Sequence, residues 1–206
     1  MNLNEFFEKI ICINLDRRTD RWTASQAEFQ QHGLTVERFS AVDGSQIQTT
    51  GKFLPGEAGC RASHLAVLQS AVNSKKPILI LEDDVEFQKD FRGLSALFES
   101  VMSTMPPWDL LYLGGNHVIR PIVPPGRGYG KVNRVLTTSS YAVTSTGASR
   151  LVSIINANPN VPVDFAIANH QHSLKCYAFV PPLAWQKPGY SDIQGGNVDY
   201  KKYMNK

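Results

Sequence analysis

Apolar residues form short continuous segments that alternate with stripes of helical spacing in the first half of the chain. Short apolar or β-branched segments are typical of strands buried in a sheet. They predict strands at 10–15, 36–39, 77–81 and 110–113. Apolar positions three and four residues apart predict helices at 19–32, 56–74 and 90–102, the last capped by Asp90. Strands that alternate with helices indicate βαβ units with parallel pairing and right-handed crossovers.

The second half of the chain has shorter strand patterns and more antiparallel character. It predicts strands near 132–136, 140–144 and 176–180, a helix from 146 to about 156 capped by Thr146, and a short helix near Asp164. Residues 114–130 contain five Gly and three Pro and show no period. This composition predicts a long flexible loop, and long loops in compact domains are commonly functional.

Length, charge and cysteine content place the chain in a broad class. The 206 residues fit one domain, 1–206, and the net charge of +3 comes without a cluster of basic residues, so no nucleic-acid partner is predicted. Cys12, Cys60 and Cys176 are odd in number and widely spaced, which predicts a reduced, cytoplasmic protein. We expect no transmembrane segment and no secretory signal, because no stretch approaches ~20 apolar residues and no basic region precedes an apolar one.

Three carboxylates end the apolar segment 77–81. In an extended chain Glu82 and Asp84 project to one side and Asp83 to the other. Two acidic side chains on one face can bind a hard divalent cation and leave room for phosphate oxygens. The alternative is a solvated strand end whose acids cap a helix.

Polar residues that suit an anionic ligand follow the first strand. Arg17 and Arg21 are spaced i, i+4 after Asn14, so both can point one way from a helix start and contact phosphates. The alternative is a surface pair that balances Asp16 and Asp20.

The start of the second long helix is rich in glycine, which lets free backbone N–H groups face an anion. Cys60 and His64 lie i, i+4 on its face, a spacing that suggests zinc, but no matching second pair with zinc spacing occurs. We therefore interpret Cys60 as a packed residue and His64 as a hydrogen-bonding residue of the site.

Candidate groups also occur late in the chain. Asp164 follows a proline and is either a helix cap or a catalytic base. His170 and His172 would diverge by about 160 degrees on a helix, so at most one is a ligand. The segment around Gln186 and Asp192 is polar and able to close over a ligand.

Together and in this order, these segments resemble glycosyltransferase family 25, typified by bacterial lipopolysaccharide and lipooligosaccharide sugar transferases. The similarity runs from residue 10 to 193. The matching segments are Ile13–Leu15 with Arg17 and Arg21, Gly56 with Gly59–Cys60 and Ser63–His64, Leu81–Asp84, Tyr112–Gly114, Ser140–Thr144 with Gly147–Ala148, Pro162–Asp164, and Pro181 with Gln186 and Ser191–Ile193.

The resemblance implies a GT-A-like three-layer α/β/α sandwich with a mainly parallel mixed sheet. It implies inverting transfer of a sugar, commonly galactose, from a UDP-sugar donor to a saccharide or glycolipid acceptor such as lipopolysaccharide. It also implies a divalent cation, Mn²⁺ or Mg²⁺, on Asp84 and Glu82, with Asp164 as the base and 114–130 on the acceptor side. The expected nucleotide-sugar-binding residues are Asn14, Arg17, Arg21, Arg61, His64, Glu82, Asp83, Gln186 and Asp192.

Other functions stay open from the sequence. A nucleotidyltransferase or a metal-dependent phosphohydrolase would use the same acidic strand end. A catalytically silent module that binds a nucleotide sugar would keep the same residues. A lipid-linked acceptor would also bring peripheral association with the inner face of a membrane.

Overall fold

The structure, a computed structural model, describes residues 3–89 and 91–200. The helices are α1 (Leu3–Phe6), α2 (Thr19–Gln31), α3 (Pro55–Ala71), α4 (Phe91–Thr104), α5 (Ser145–Ala157) and α6 (Val163–His170), with single 3₁₀ turns at Gly44–Gln46 and Gln171–Ser173. The strands are β1 (Lys9–Asn14), β2 (Glu37–Ser40), β3 (Ile78–Glu82), β4 (Val85–Phe87), β5 (Leu110–Tyr112), β6 (His117–Ile119), β7 (Tyr129–Lys131), β8 (Arg134–Val135), β9 (Ser140–Val143), β10 (Cys176–Phe179), β11 (Ala184–Gln186), β12 (Gly189–Ser191) and β13 (Gly196–Val198).

Seven strands form the central sheet in the order β2-β1-β3-β9-β5-β10-β7. The β1 strand is parallel to β2 and β3, and β5 is parallel to β10. Antiparallel pairing joins β9 to β3 and β5, and β7 to β10. Five strands therefore run in one direction, and the sheet is mixed but mainly parallel, as predicted.

Each face of the sheet is covered by its own helices and hydrophobic core. Side chains on successive strand positions point to opposite faces, so Ile11 and Ile80 enter one core and Cys12 and Leu81 the other. The first core packs against α3, α5 and α6, and the second against α1, α2 and α4. This arrangement confirms the three-layer α/β/α sandwich.

The topology brings the carboxyl ends of β1 and β3 to one edge of the sheet. Their register pairs Ile13 with Glu82, so the arginine segment after β1 lies beside the acidic residues after β3. Ligand sites of open α/β sheets form at such edges. The predicted extension of the strand through the acids is wrong, because Asp83 and Asp84 form a turn between β3 and β4.

Several predicted boundaries differ from the observed ones. The predicted loop 114–130 contains β6 and the start of β7, and β7 is an edge strand of the central sheet. Thr144 rather than Thr146 caps α5, and its Oγ1 accepts a hydrogen bond from the N–H of Gly147 at 3.0 Å. The predicted cap Asp90 lies outside the described residues.

Gly147 is a close-packing position at the start of α5. A Cβ atom there would lie 2.0 Å from the backbone oxygen of Asp109, which cannot move without displacing β5. We expect Gly147→Ala to lower the free energy of unfolding by about 1–3 kcal/mol, even though Ala favours a helix. Urea denaturation tests this, with Gly196→Ala as the control because its Cβ would meet nothing within 4 Å. Equal midpoints for the two variants would contradict the expectation.

Candidate functional site

Two adjoining cavities open at the carboxyl edge of the sheet. The first has a volume of about 390 Å³ and is lined by residues following β1 and β3, the start of α3 and the β12–β13 hairpin. The second has a volume of about 300 Å³ and is lined by the start of α6 and the segment before β9. The residues that line both cavities are Cys60, Glu82, Gln186, Ser191 and Ile193.

The β12–β13 hairpin seats directly against the start of α3. A Cβ atom on Gly56 would lie 2.9 Å from the Cα of Ile193, so the close approach requires glycine. The backbone oxygen of Tyr190 also accepts a hydrogen bond from Arg21. The hairpin therefore closes one side of both cavities, as the polar segment around Asp192 led us to predict.

Asp83 stabilises the acidic turn. Its Oδ1 accepts a hydrogen bond from Nη1 of Arg21 at 2.7 Å, and its Oδ2 accepts one from Nδ2 of Asn14 at 2.6 Å. The other side of the Asn14 amide accepts from Arg38 at 2.8 Å. Asn14 lines neither cavity, and its contacts indicate that it positions Asp83, both of whose carboxylate oxygens are engaged; its contact with the nucleotide stays a prediction.

Asp84 has a carboxylate oxygen without a partner. Its Oδ2 accepts from Nε2 of Gln186 at 2.9 Å and lies 3.5 Å from Nη1 of Arg21, whereas the buried Oδ1 has no hydrogen-bond partner among the described residues. Burial, followed by the nearby charge of Glu82, raises the pKa of Asp84 to about 7. A buried carboxylate oxygen with no donor fits a cation, which would favour the ionised form.

Glu82 lies at the junction of the cavities within a hydrogen-bonded chain. Its Oε1 accepts from Oγ1 of Thr138 at 2.7 Å and lies 3.1 Å from Nε2 of His64. Nδ1 of His64 is 3.0 Å from the hydroxyl of Tyr141, so a neutral ring protonated at Nε2 would satisfy both contacts. Burial opposes the charge on Glu82, but the contacts with His64 and Thr138 lower its pKa below the ordinary value.

A zinc site at Cys60, His64 and Glu82 is disfavoured by their contacts. The potential ligand atoms lie within 4.8 Å of one another. Both ring nitrogens of His64 already have partners, and burial raises the pKa of the Cys60 thiol well above its ordinary value. Zinc would have to displace the partners of His64, so the contacts of the ring favour a hydrogen-bonding role for this residue.

Arg17 and Arg21 both line the first cavity. Nη1 of Arg17 lies 2.5 Å from Oδ2 of Asp43, and its Nη2 lies 3.2 Å from Oδ1 of Asp192. The alternative of pairing with Asp16 and Asp20 is wrong. Asp16 pairs with Arg38 at 2.7 Å, and Asp20 pairs with Arg18 at 2.9 Å.

Arg18 lines neither cavity but supports the site, a role that sequence reasoning missed. Its guanidinium binds Asp192 and so ties the hairpin to the segment after β1. The only sequence signal was its position next to Arg17, because its partner lies 174 residues away along the chain.

Arg61 points away from both cavities. Its Nη2 donates to the backbone oxygen of Ile155 at 2.6 Å near the end of α5, and the residue lines neither cavity. Cationic side chains interact favourably with the last carbonyls of a helix, which explains this orientation. A role of Arg61 in nucleotide-sugar binding stays a prediction that this contact does not support.

Asp164 lines the second cavity from the first turn of α6. Pro162 occupies the N-cap position, and Oδ1 of Asp164 accepts a hydrogen bond from the adjacent N–H of Phe165 at 2.9 Å. Burial raises the pKa of Asp164, and the carboxylate of Glu82 adds to this effect. Asp164 therefore lies beside the N-cap and lines the second cavity, and its role as the base stays a prediction.

The two late histidines do not line either cavity. Nδ1 of His170 is 2.8 Å from the backbone oxygen of Ala166, one turn earlier in α6. His172 lies in the 3₁₀ turn that follows. Neither belongs to a potential metal-binding cluster within the described residues.

The raised pKa of Asp84 predicts a pH-dependent cost to stability in metal-free buffer. Its folded value of about 7 lies above the ordinary value of 3.8, so between these values the folded protein binds more protons than the unfolded chain. The free energy of unfolding of the wild type should therefore fall, relative to Asp84→Asn, as pH rises from about 4 to about 7. Urea denaturation of both proteins with a chelator tests this. A difference between them that does not vary with pH would contradict it.

Comparisons with known proteins agree with the resemblance seen in the sequence. Residues 7–116 match the sequence model of "Glycosyltransferase family 25 (LPS biosynthesis protein)". Mouse procollagen galactosyltransferase 2 is 28% identical over 185 residues, which cover 77% of this chain and 29% of the mouse protein. Human inactive glycosyltransferase 25 family member 3 is 30% identical over 189 residues, which cover 77% of this chain and 31% of the human protein. The chain thus spans about 30% of the length of these relatives.

A similar solved structure is that of a glycosyltransferase involved in the glycosylation of the major capsid of PBCV-1. It has a TM-score of 0.46 and 13% identity, and the match covers 78% of this chain and 73% of that one. The described part of this chain contains no helix long and apolar enough to cross a membrane. The family match covers more than half of the 206 residues and includes β1, β3 and the acidic turn. This chain belongs to glycosyltransferase family 25.

Proposed function

We propose that this chain transfers a sugar, in the first instance galactose, from a UDP-sugar to a saccharide acceptor with inversion at the anomeric carbon. The observation that carries the proposal is Asp84, which lines the first cavity and whose buried Oδ1 has no hydrogen-bond partner within the described residues. One cavity would hold the nucleotide diphosphate, and the other would hold the acceptor. The donor sugar would lie between them, near Glu82 and Gln186.

The first cavity contains groups that would bind an anion, but its lining carries more carboxylates than guanidinium groups. Arg17 and Arg21 line it, together with the N-terminal turn of the 17-residue helix α3. Five carboxylates line the same cavity, namely Asp43, Glu82, Asp83, Asp84 and Asp192. Arg18 pairs with Asp192 from outside the lining, so three guanidinium groups face five carboxylates, and a diphosphate would be repelled less if a cation entered with it. This imbalance supports a requirement for Mn²⁺ or Mg²⁺.

Asp84 and Glu82 are the residues proposed to hold that cation. Oδ1 of Asp84 is free to accept it, and both residues line the first cavity. A bound divalent cation would neutralise the charge that develops on the leaving diphosphate. Arg21 and Gln186 would keep the Asp84 carboxylate in place through its other oxygen.

Asp164 is proposed as the base of the reaction. An acceptor hydroxyl in the second cavity would give its proton to the Asp164 carboxylate as the hydroxyl oxygen forms a bond to the anomeric carbon. The bond from that carbon to the diphosphate oxygen would break, and UDP would leave. The raised pKa of Asp164 brings its basicity closer to neutral pH.

The names of similar proteins guide the choice of substrates to test first. The mouse relative is a galactosyltransferase, which supports UDP-galactose as the first donor. The family description refers to LPS biosynthesis, which supports lipopolysaccharide saccharides as the first acceptors. The human relative is named inactive, so a silent binding module is retained as the second candidate.

Calorimetric titration with UDP and UMP, each with and without Mn²⁺, tests the donor site. We expect Mn²⁺ to strengthen UDP binding more than UMP binding, because only UDP has the diphosphate. Equal affinity for UDP with and without Mn²⁺ would contradict the proposed cation site. Strong binding without turnover of any UDP-sugar would favour the silent module.

A further inference from the structure

The antiparallel ribbon of β6 and β8, together with the segment 120–123 that follows β6, exposes an unusual concentration of apolar side chains. Eight large hydrophobic residues are exposed in the described chain, and four of them lie between 118 and 123. They are Val118, Ile119, Ile122 and Val123, with exposed fractions of 55%, 52%, 64% and 40%. Isolated exposed apolar residues are ordinary, but a cluster of four within six positions marks an interaction surface.

Basic residues surround this cluster and acidic residues are absent from it. Arg120, Arg127 and Lys131 are exposed and form no ion pair within the part of the chain that is described. No Asp or Glu occurs in the sequence between Asp109 and Asp164. We call residues 118–131 the apolar–basic patch.

The patch is held in place by main-chain pairing rather than by a core of its own. The backbone N–H and carbonyl of Ile122 both bond to Lys131, at 2.9–3.0 Å, which ties the exposed segment to the edge of the central sheet. His117 pairs with Val135 across the ribbon. The backbone pairing therefore holds the apolar side chains in place at the surface, where they stay exposed to solvent.

We propose that the apolar–basic patch docks on a membrane surface that carries anionic lipid headgroups. Arg and Lys attract such a surface, and the four apolar side chains would enter the boundary between headgroups and acyl chains. A soluble polyanion would use the cations but leave the apolar residues in water. A second copy paired by two-fold symmetry would bring the basic residues of both copies together, at a cost in repulsion.

The apolar–basic patch lies close to the second cavity. Asn116 and Leu136, which flank the ribbon and are joined by a backbone hydrogen bond of 3.0 Å, line the second cavity. Docking through the patch would bring that cavity near the lipid surface. If the proposed function holds, a lipid-linked saccharide would be a fitting acceptor, but the docking itself does not depend on that function.

Co-sedimentation of the full chain with vesicles tests the proposal. Phosphatidylcholine vesicles with and without phosphatidylglycerol show how much of the binding depends on anionic headgroups. We expect binding to the vesicles that contain phosphatidylglycerol, and this binding should weaken as salt is added. Ile119→Ser with Ile122→Ser should reduce binding at least about tenfold. Arg120→Gln with Arg127→Gln should reduce it about 20-fold or more, since each basic residue contributes about fivefold. Circular dichroism and the single variant Ile122→Ser, at the most exposed position of the patch, guard against misfolding.

The matched control is Lys52→Gln with Lys75→Gln, which removes the same charge from exposed positions outside the patch. Its binding should stay close to that of the wild type. The proposal is overturned if the wild type does not bind anionic vesicles, or if the control loses as much binding as the arginine variant. It is also overturned if the isoleucine variants bind normally, which would indicate a site for soluble polyanions. Patch-dependent dimers in sedimentation velocity without vesicles would assign the surface to a second copy and overturn it as well.

Discussion

Asp164→Asn is expected to slow sugar transfer by about 10²- to 10⁴-fold, the usual contribution of a general base. Asn has nearly the same shape as Asp but cannot accept the proton of an acceptor hydroxyl. UDP binding should stay at the wild-type level, because Asp164 lines the second cavity and not the first. Initial rates with UDP-galactose and an acceptor, together with UDP titrations, measure the two effects separately.

Glu57→Gln is the matched control for this prediction. Glu57 also lines the second cavity, and its carboxylate caps α3 by accepting from the N–H of Leu54 at 2.8 Å. The control should retain transfer within a few-fold and lose less than about 1 kcal/mol of stability, because Gln also accepts the capping hydrogen bond. If Asp164→Asn behaves in the same way, with transfer kept and stability lowered, Asp164 is a structural residue of α6 and not the base.

Asp84→Asn is expected to abolish the strengthening of UDP binding by Mn²⁺. The substitution removes the negative charge of the carboxylate and replaces one of its oxygens with an N–H₂ group, which repels a cation. Since the Asp84 side chain is only 13% exposed and Asn is neutral, the fold should be retained. Calorimetry of UDP in Mn²⁺ and in chelator gives the difference directly.

Asp16→Asn serves as the control for the cation site. Asp16 is an exposed carboxylate paired with Arg38, and it lines neither cavity. Its loss should leave the effect of Mn²⁺ on UDP binding unchanged. An unaltered effect in Asp84→Asn would show that this carboxylate does not hold the cation.

The local pattern of the sequence predicts the parts of the fold that depend on neighbouring residues. The apolar segments that become β1 and β3 are buried on both faces, so their composition alone marks them as strands. Their parallel pairing then places Arg21 near the acidic turn without further information. For the same reason the position of Arg17 and Asp84 at this edge could be predicted from the sequence, while their roles in binding stay predictions.

Long-range contacts explain what the pattern did not predict. Asp83 and Asp84 differ because of their contacts and not because of alternation along a strand. Asn14 and Arg21 bind both carboxylate oxygens of Asp83, whereas Oδ1 of Asp84 has no hydrogen-bond partner among the described residues. The contact between Arg18 and Asp192 depends on a hairpin at the other end of the sequence. Arg61 was expected in the site from the resemblance, but the nearby end of α5 provides an acceptor for it.

The Gly and Pro content of 114–130 was an unreliable guide to its structure. Gly114 and Gly130 are close-packing positions, since a Cβ atom on Gly114 would lie 1.7 Å from the oxygen of Ala184, and one on Gly130 would lie 2.6 Å from Pro121. These glycines permit tight approach within a folded ribbon, a role that composition cannot distinguish from loop flexibility. Contact of this segment with the acceptor stays a prediction, supported by Asn116 in the second cavity.

The products formed from UDP-galactose in the presence of Mn²⁺ test the central claim most directly. Chromatography with mass spectrometry should detect UDP together with galactose, joined either to a saccharide acceptor or to water, and neither product should form in chelator. Breakage at the anomeric carbon is what distinguishes a glycosyltransferase from the other enzymes that use an acidic strand end. Formation of UMP and galactose phosphate would instead place the broken bond within the diphosphate, and the proposed transfer reaction would be wrong.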